Sequence, residues 1–209
     1  MQSPFTFTHT APAEKEGKQP AIFLFHGMGS HEGDLPQLVS DFQDSHHIFS
    51  LRGPVVHAPG YAFFTIEEEG KPVREVFDKV VVYIQAFIRE AITEFNLDPD
   101  RLTTVGFSQG AVLAQTLGLS MIPSLHGVAA LSGYIPDFVK NEYAKQPVDQ
   151  LQVFISHGDY DYVIPSQSGV ESKDYFESLG ANVTFKTYGD GHGVTPENQR
   201  DLTAFLKTL

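Results

Sequence analysis

Residues 103–115 read TTVGFSQGAVLAQ. A β-branched, apolar run reaches a serine set between glycines, then passes into small and aliphatic residues of helical character. Strand, tight turn and helix make up the unit from which parallel sheets are wound. Apolar runs of strand length recur at residues 21–25 (AIFLF), 47–51 (HIFSL), 102–107 (LTTVGF), 127–131 (GVAAL), 152–156 (QVFIS) and 182–188 (NVTFKTY). Residues 5–10 (FTFTHT) alternate and read as an edge strand. Between these runs lie helical periods. The clearest covers 73–95, where Val73, Val76, Phe77, Val80, Ile84, Phe87, Ile88, Ala91, Ile92 and Phe95 recur at three- and four-residue steps. They read as core, and Asp98-Pro99 should end the segment, because a residue before proline avoids helical angles. The expected fold is α/β, a mostly parallel central sheet with helices on both faces, in one domain spanning 1–209. No long insertion supplies a lid.

Composition narrows the function. Fourteen Lys and Arg face twenty-six Asp and Glu, a net charge of −12. That argues against a phosphate-binding surface, so neither nucleic acid nor an anionic membrane is an expected partner. The chain has no cysteine, hence no disulfide, no thiolate nucleophile and no zinc ribbon. The first ten residues, MQSPFTFTHT, have no basic start and no long apolar stretch. No run approaches membrane-spanning length. The expectation is a cytoplasmic protein without membrane insertion.

In open parallel sheets the functional groups gather at the carboxyl ends of the strands. Gly106-Phe107-Ser108-Gln109-Gly110 is G-x-S-x-G at such an end. A nucleophilic serine there needs a strained turn that pushes its hydroxyl outward. The glycines let neighbouring backbone pack against the turn, and the helix that follows favours developing negative charge. The plainer alternative is a serine N-cap. A serine nucleophile needs a base. His192 lies in YGDGHGVTPE, between the last strand and the last helix, flanked by Gly191 and Gly193. The base needs an acid to fix its tautomer. FISHGDYDYVIP offers Asp159 and Asp161, and Asp161, before Val163-Ile164-Pro165, is the better placed. Asp159 fits a turn. His157 and these aspartates could in principle hold a metal, but no second ligand cluster accompanies them, and neither metal nor cofactor is expected. The order serine, aspartate, histidine is that of a nucleophile elbow. Two N–H groups should receive the oxyanion: Gln109, just after the serine, and Met28 in the loop of AIFLFHGMGSHEGDL. His26 reads as structural, holding that loop. Glu32 and Asp34 read as caps of the next helix, with Pro36 in its first turn. Arg52 reads as a partner for an acid at a strand end.

Taken together, LFHGMGSHEGDL, LRGPV, GFSQGAVLA, LSGYIP, SHGDYDYVIP and GHGV resemble the phospholipase/carboxylesterase group of the α/β-hydrolase fold, which includes acyl-protein thioesterases. The resemblance spans nearly the whole chain from about residue 21. It implies Ser108 as nucleophile, Asp161 as acid, His192 as base, and Met28 and Gln109 as oxyanion donors. The chain departs from the group at Met28, where leucine or threonine is frequent, and at Ser30. It also has APGYAFFTIEEEGKPV in place of the tryptophan-containing segment of the eukaryotic thioesterases. In these respects it is more similar to small bacterial carboxylesterases.

Candidate pocket residues fall in loops after strands: Tyr61, Phe63 and Phe64 in one, Tyr134, Ile135 and Phe138 in another, Val163 and Ile164 in a third. Core packing is the alternative for each aromatic. A homodimer that covers these aromatics fits the same composition. The acidic run Glu67-Glu68-Glu69-Gly70 reads as a solvated turn. The expected activity is hydrolysis of short to medium acyl esters through an acyl-enzyme. The alternatives are a lysophospholipase or acyl-thioesterase with a longer apolar groove, or a ligand-binding protein with a dead site. A dienelactone-hydrolase-like enzyme is disfavoured, because that group commonly uses a cysteine. In every case the partner is a small acyl ester, thioester or related molecule.

Overall fold

The structure, a computed structural model, describes residues 4–13, 16–68 and 71–209. Its centre is a seven-stranded sheet in the order β1-β3-β2-β8-β9-β10-β11. The strands are β1 (Phe7–Thr10), β2 (Gln19–Phe25), β3 (His47–Leu51), β8 (Leu97–Phe107), β9 (Gly127–Leu131), β10 (Gln152–Gly158) and β11 (Asn182–Tyr188). Only β1 runs antiparallel, on β3, with Phe7 opposite Leu51 and Thr10 opposite Ile48. Its burial alternates, as an edge strand's should. The interior strands are apolar on both faces because helices cover both.

One face is packed by α1 (Arg74–Glu94), α2 (Gln109–Ser120) and α4 (Gln167–Ser178), and the other by a 3-10 helix (Leu35–Phe42) and α5 (Pro196–Leu206). Along β2 the period of two is explicit. Ala21, Phe23 and Phe25 join the first core, Ile22 and Leu24 the second. α1 buries Phe77, Val80, Val81, Ile84, Phe87, Ile88 and Ala91, the stripe that its spacing predicts. Each large apolar side chain so buried contributes about 1.5–3 kcal/mol. α2 is buried on every side from Gln109 to Leu119, which its small residues Gly110, Ala111, Ala114 and Gly118 permit.

Some boundaries differ from expectation. α1 ends before Asn96, which takes φ 52°, and Asp98-Pro99 lies inside β8. Asparagine tolerates the left-handed conformation that stops a helix, so the stop comes ahead of the proline. The connection after β3 contains two small hairpins, β4 (Val55–His57) with β5 (Gly60–Ala62), and β6 (Ile66–Glu68) with β7 (Lys71–Pro72). A short α3 (Asp137–Glu142) follows β9. Asp34 precedes the 3-10 helix but makes no side-chain cap. It accepts instead from the Ser30 hydroxyl at 2.6 Å. Glu32 pairs with Arg52, so neither acid caps the helix, and Arg52 does hold a strand end through an acid. Of the acidic run, Glu67 is exposed, while Glu69 and Gly70 lie outside the described residues. Among the described residues no helix is long and apolar enough to cross a membrane.

Candidate active site

Ser108 sits between β8 and α2 with φ 54° and ψ −117°, a region that non-glycine residues rarely occupy. Such strain persists only where the surroundings over-determine it. Here they do. The Ser108 N–H donates to the Leu131 carbonyl at 2.8 Å. A Cβ on Gly106 would collide with the Gly110 carbonyl, and one on Gly110 with the Phe25 carbonyl. The two glycines therefore let strand, turn and helix lie in contact. The serine hydroxyl caps nothing in α2. It lies 2.8 Å from Nε2 of His192.

His192 follows β11, and its ring leans on Phe107 with centroids 5.0 Å apart. Nδ1 is 2.7 Å from Oδ2 of Asp161. A carboxylate only accepts, so Nδ1 carries the proton and Nε2 is left to accept from Ser108. The side chain of Asp161, in the loop after β10, is wholly buried. Its Oδ1 accepts the N–H groups of Val163 and Ile164, each at 2.9 Å. Burial alone would raise its pKa. The His192 hydrogen bond and the two amide donors outweigh burial and hold the carboxyl below its usual range. Asp159 is exposed and outside this line of contacts.

The loop after β2 closes the other side. A Cβ at Gly27 would come 3.4 Å from Cβ of Ser108, so this backbone lies directly against the serine. His26 holds it: Nδ1–H donates to the Gly27 carbonyl at 2.7 Å, and Nε2 accepts the Gly53 N–H at 2.9 Å. Burial pushes the His26 pKa down, consistent with a neutral ring that both donates and accepts. Among the described residues no acceptor engages the Met28 N–H. Gln109 opens α2, so its N–H has no intrahelical acceptor. Both residues line one cavity with Ser108. The arrangement joins a hydroxyl, an imidazole acceptor, a buried carboxylate and two uncommitted N–H donors.

That cavity has a volume of about 810 Å³. Of the expected pocket residues, Phe64, Tyr134, Ile135, Val163 and Ile164 line it. Burial pushes the Tyr134 phenol up to about 12, so that side chain stays uncharged, while Asp137, Lys140 and Glu171 bring charge to the lining. Three expectations are corrected, since Phe63, Tyr61 and Phe138 do not line the cavity. Phe63 is fully buried in the core, packed on Phe25 and His26. Tyr61 lies under the Arg52 guanidinium, 4.5 Å from ring centre to Cζ, outside the cavity. Both fall to the core or the hairpin because Tyr61 belongs to β5, a strand that the glycine- and proline-rich sequence concealed. Phe138 packs against Phe77. Ile66, Val112, Tyr162 and Lys140 line the cavity unforeseen.

A profile of the phospholipase/carboxylesterase family matches residues 9–209. The chain belongs to that family. It is an ester-hydrolysing enzyme of the α/β-hydrolase fold. Family relatives include an acyl-protein thioesterase 1 of Candida albicans, 30% identical over 95% of each chain. An acyl-protein thioesterase 1 homolog of Dictyostelium discoideum is 36% identical over 90% of each. Among solved structures, a Bacillus cereus carboxylesterase superposes with TM-score 0.88 at 24% identity, covering 98% of this chain and 94% of that one. An esterase called PE8 superposes with TM-score 0.83 at 26% identity, covering 98% of each.

Two site features were not found by sequence reasoning. The side chain of Gln109 bridges backbone, accepting from the Phe63 N–H at 2.6 Å and donating to the Phe64 carbonyl at 2.7 Å. It fixes the cavity wall to the serine turn. His157, set aside as a weak metal candidate, is buried against Asp161. The pattern S-H-G-D-x-D contains that histidine, but its contacts depend on the return of the loop at Ile164.

Proposed function

We propose that the protein is a serine carboxylesterase acting on short to medium acyl esters through Ser108, His192 and Asp161. The observation that carries this reading is the unbroken line of contacts: Ser108 Oγ to His192 Nε2 at 2.8 Å, and His192 Nδ1 to Asp161 Oδ2 at 2.7 Å. His192 takes the hydroxyl proton as Ser108 attacks the ester carbonyl. Asp161 holds the ring and stabilises the imidazolium that forms. The N–H groups of Met28 and Gln109 receive the oxyanion, aided by the N-terminus of α2. His192 then protonates the leaving alcohol. Water, activated by the same imidazole, attacks the acyl-enzyme, and the acid leaves. Five groups thus act from the ends of four strands, β2, β8, β10 and β11.

Acyl-thioester hydrolysis is the second reading, supported by the names of the curated relatives. Exposed Ile66, Tyr162 and Val163 at the cavity rim also suit a longer chain. Both readings use the same three residues. The test is hydrolysis of p-nitrophenyl esters from acetate to palmitate, and of the matching acyl thioesters, with Ser108→Ala protein as the blank. A serine-dependent optimum at short or medium esters is expected. An optimum at long chains, or on thioesters alone, overturns the first reading in favour of the second.

A further inference from the structure

Asp161 has a second imidazole against it. His157 stands near the end of β10, and its side chain is wholly buried. Its Nε2 is 2.7 Å from the Ile164 carbonyl and 3.3 Å from Oδ2 of Asp161, the oxygen that also meets His192. Since a carbonyl only accepts, Nε2 carries the proton. The contacts close on themselves. His157 donates to the Ile164 carbonyl, the Ile164 N–H donates to Oδ1 of Asp161, and the other carboxylate oxygen faces the His157 N–H. The ring cannot swing away. A Cβ on Gly169 of α4 would come 2.8 Å from its Nδ1 and 3.1 Å from Phe185 of β11. The titratable neighbours of His157 are Asp161 and His192. Burial pushes its pKa down, against the attraction of Asp161, which favours a neutral donor beside the carboxylate.

We propose that His157 is a positioning residue, which fixes the Ile164 turn so that Asp161 presents Oδ2 to His192. The proposal rests on the reading of Ser108, His192 and Asp161 as the reacting set. A buried carboxylate on a loop has rotamers that would aim it elsewhere, and His157 removes them by tying the loop back to its own strand. It adds an uncharged N–H dipole to the acid's environment without competing as a cation for it.

The test compares His157→Leu, which loses the donor, with His157→Gln, which keeps an N–H of similar reach. Turnover of a p-nitrophenyl ester and the far-downfield proton resonance of the His192–Asp161 hydrogen bond are measured on each. In the leucine variant kcat should fall about tenfold or more, the scale for outer partners that orient a reacting imidazole. KM should stay within about twofold of wild type, since His157 is not expected to touch substrate. The resonance should shift or vanish, and glutamine should restore most of both. Wild-type kcat and an unmoved resonance in a folded leucine variant overturn the proposal, as does equal loss in both variants. If leucine prevents folding, the imidazole 15N spectrum of the wild-type protein decides: His157 neutral and protonated at Nε2 supports the proposal, protonation at Nδ1 overturns it. Ser108→Ala separates this from the reading beneath it. Full activity there removes the reacting set itself, whereas a dead Ser108→Ala beside a fully active His157→Leu removes only the positioning role.

Discussion

Ser108 and Ser132 are two serines with the same positive φ. Each follows a parallel strand, β8 or β9, and each has φ 54°. Each hangs its N–H on the next strand, Ser108 on Leu131 and Ser132 on Ser156, both at 2.8 Å. Their hydroxyls differ. That of Ser108 is half-buried and meets His192 at 2.8 Å. That of Ser132 is fully buried and has no partner among the described residues. Strain at a strand end is therefore a property of this sheet's carboxyl edge, not a mark of a nucleophile. On the proposed reading, chemistry enters where the strained hydroxyl is delivered to a base that an acid already orients.

The largest effect expected from this contrast is on turnover. Ser108→Ala should lower kcat by about 10⁴-fold or more with the fold intact by circular dichroism. Next comes the wall tied to the same turn. Gln109→Leu leaves the buried Phe63 N–H and Phe64 carbonyl unpaired and should cost about 2–4 kcal/mol in a denaturant titration. An unchanged midpoint would mean that the bridge carries no weight. Ser132→Ala is the mirror experiment. It should leave kcat within about threefold of wild type, because no base stands beside that hydroxyl. A loss comparable to that of Ser108→Ala would break the comparison.

The smallest effect is on stability in acid. Burial lowers the pKa of folded His26 and His157, so the unfolded chain binds protons that the folded one refuses. Stability should hold above about pH 6.5 and decline below it, as the histidines of the unfolded chain protonate. His46, pushed down to about 4, acts in the same direction. Asp161 is lowered as an acid, so its contribution is complete above about pH 4 and is lost only as pH falls through its folded value. Unfolding midpoints from pH 8 to 4 read the histidine stage, and midpoints continued below pH 4 read that of Asp161. A midpoint that rises as pH falls from 7 to 5 would contradict these signs.

The strands of the central sheet were legible because their runs are continuous and apolar, and the α1 stripe because its period is strict, whereas their order in the sheet came only from the structure. The meeting of Ser108, Asp161 and His192 could be anticipated because each stands in the segment that follows such a run. The pocket was legible only in part. A buried aromatic and a lining aromatic carry the same signal, so Phe63 and Phe64, adjacent in sequence, part company only once the hairpins turn the chain. The contacts of Gln109 and His157 were illegible for a different reason. Both act on backbone atoms that come into reach only after a loop has returned.

On the proposed reading Ser108 alone among the serines is a nucleophile. The most direct measurement is labelling of the folded protein with a fluorophosphonate, followed by intact mass and peptide mapping. One adduct per chain, on the peptide carrying Ser108 and absent from Ser108→Ala, is the result predicted. Labelling at Ser132 or elsewhere, or an adduct that survives Ser108→Ala, would contradict it.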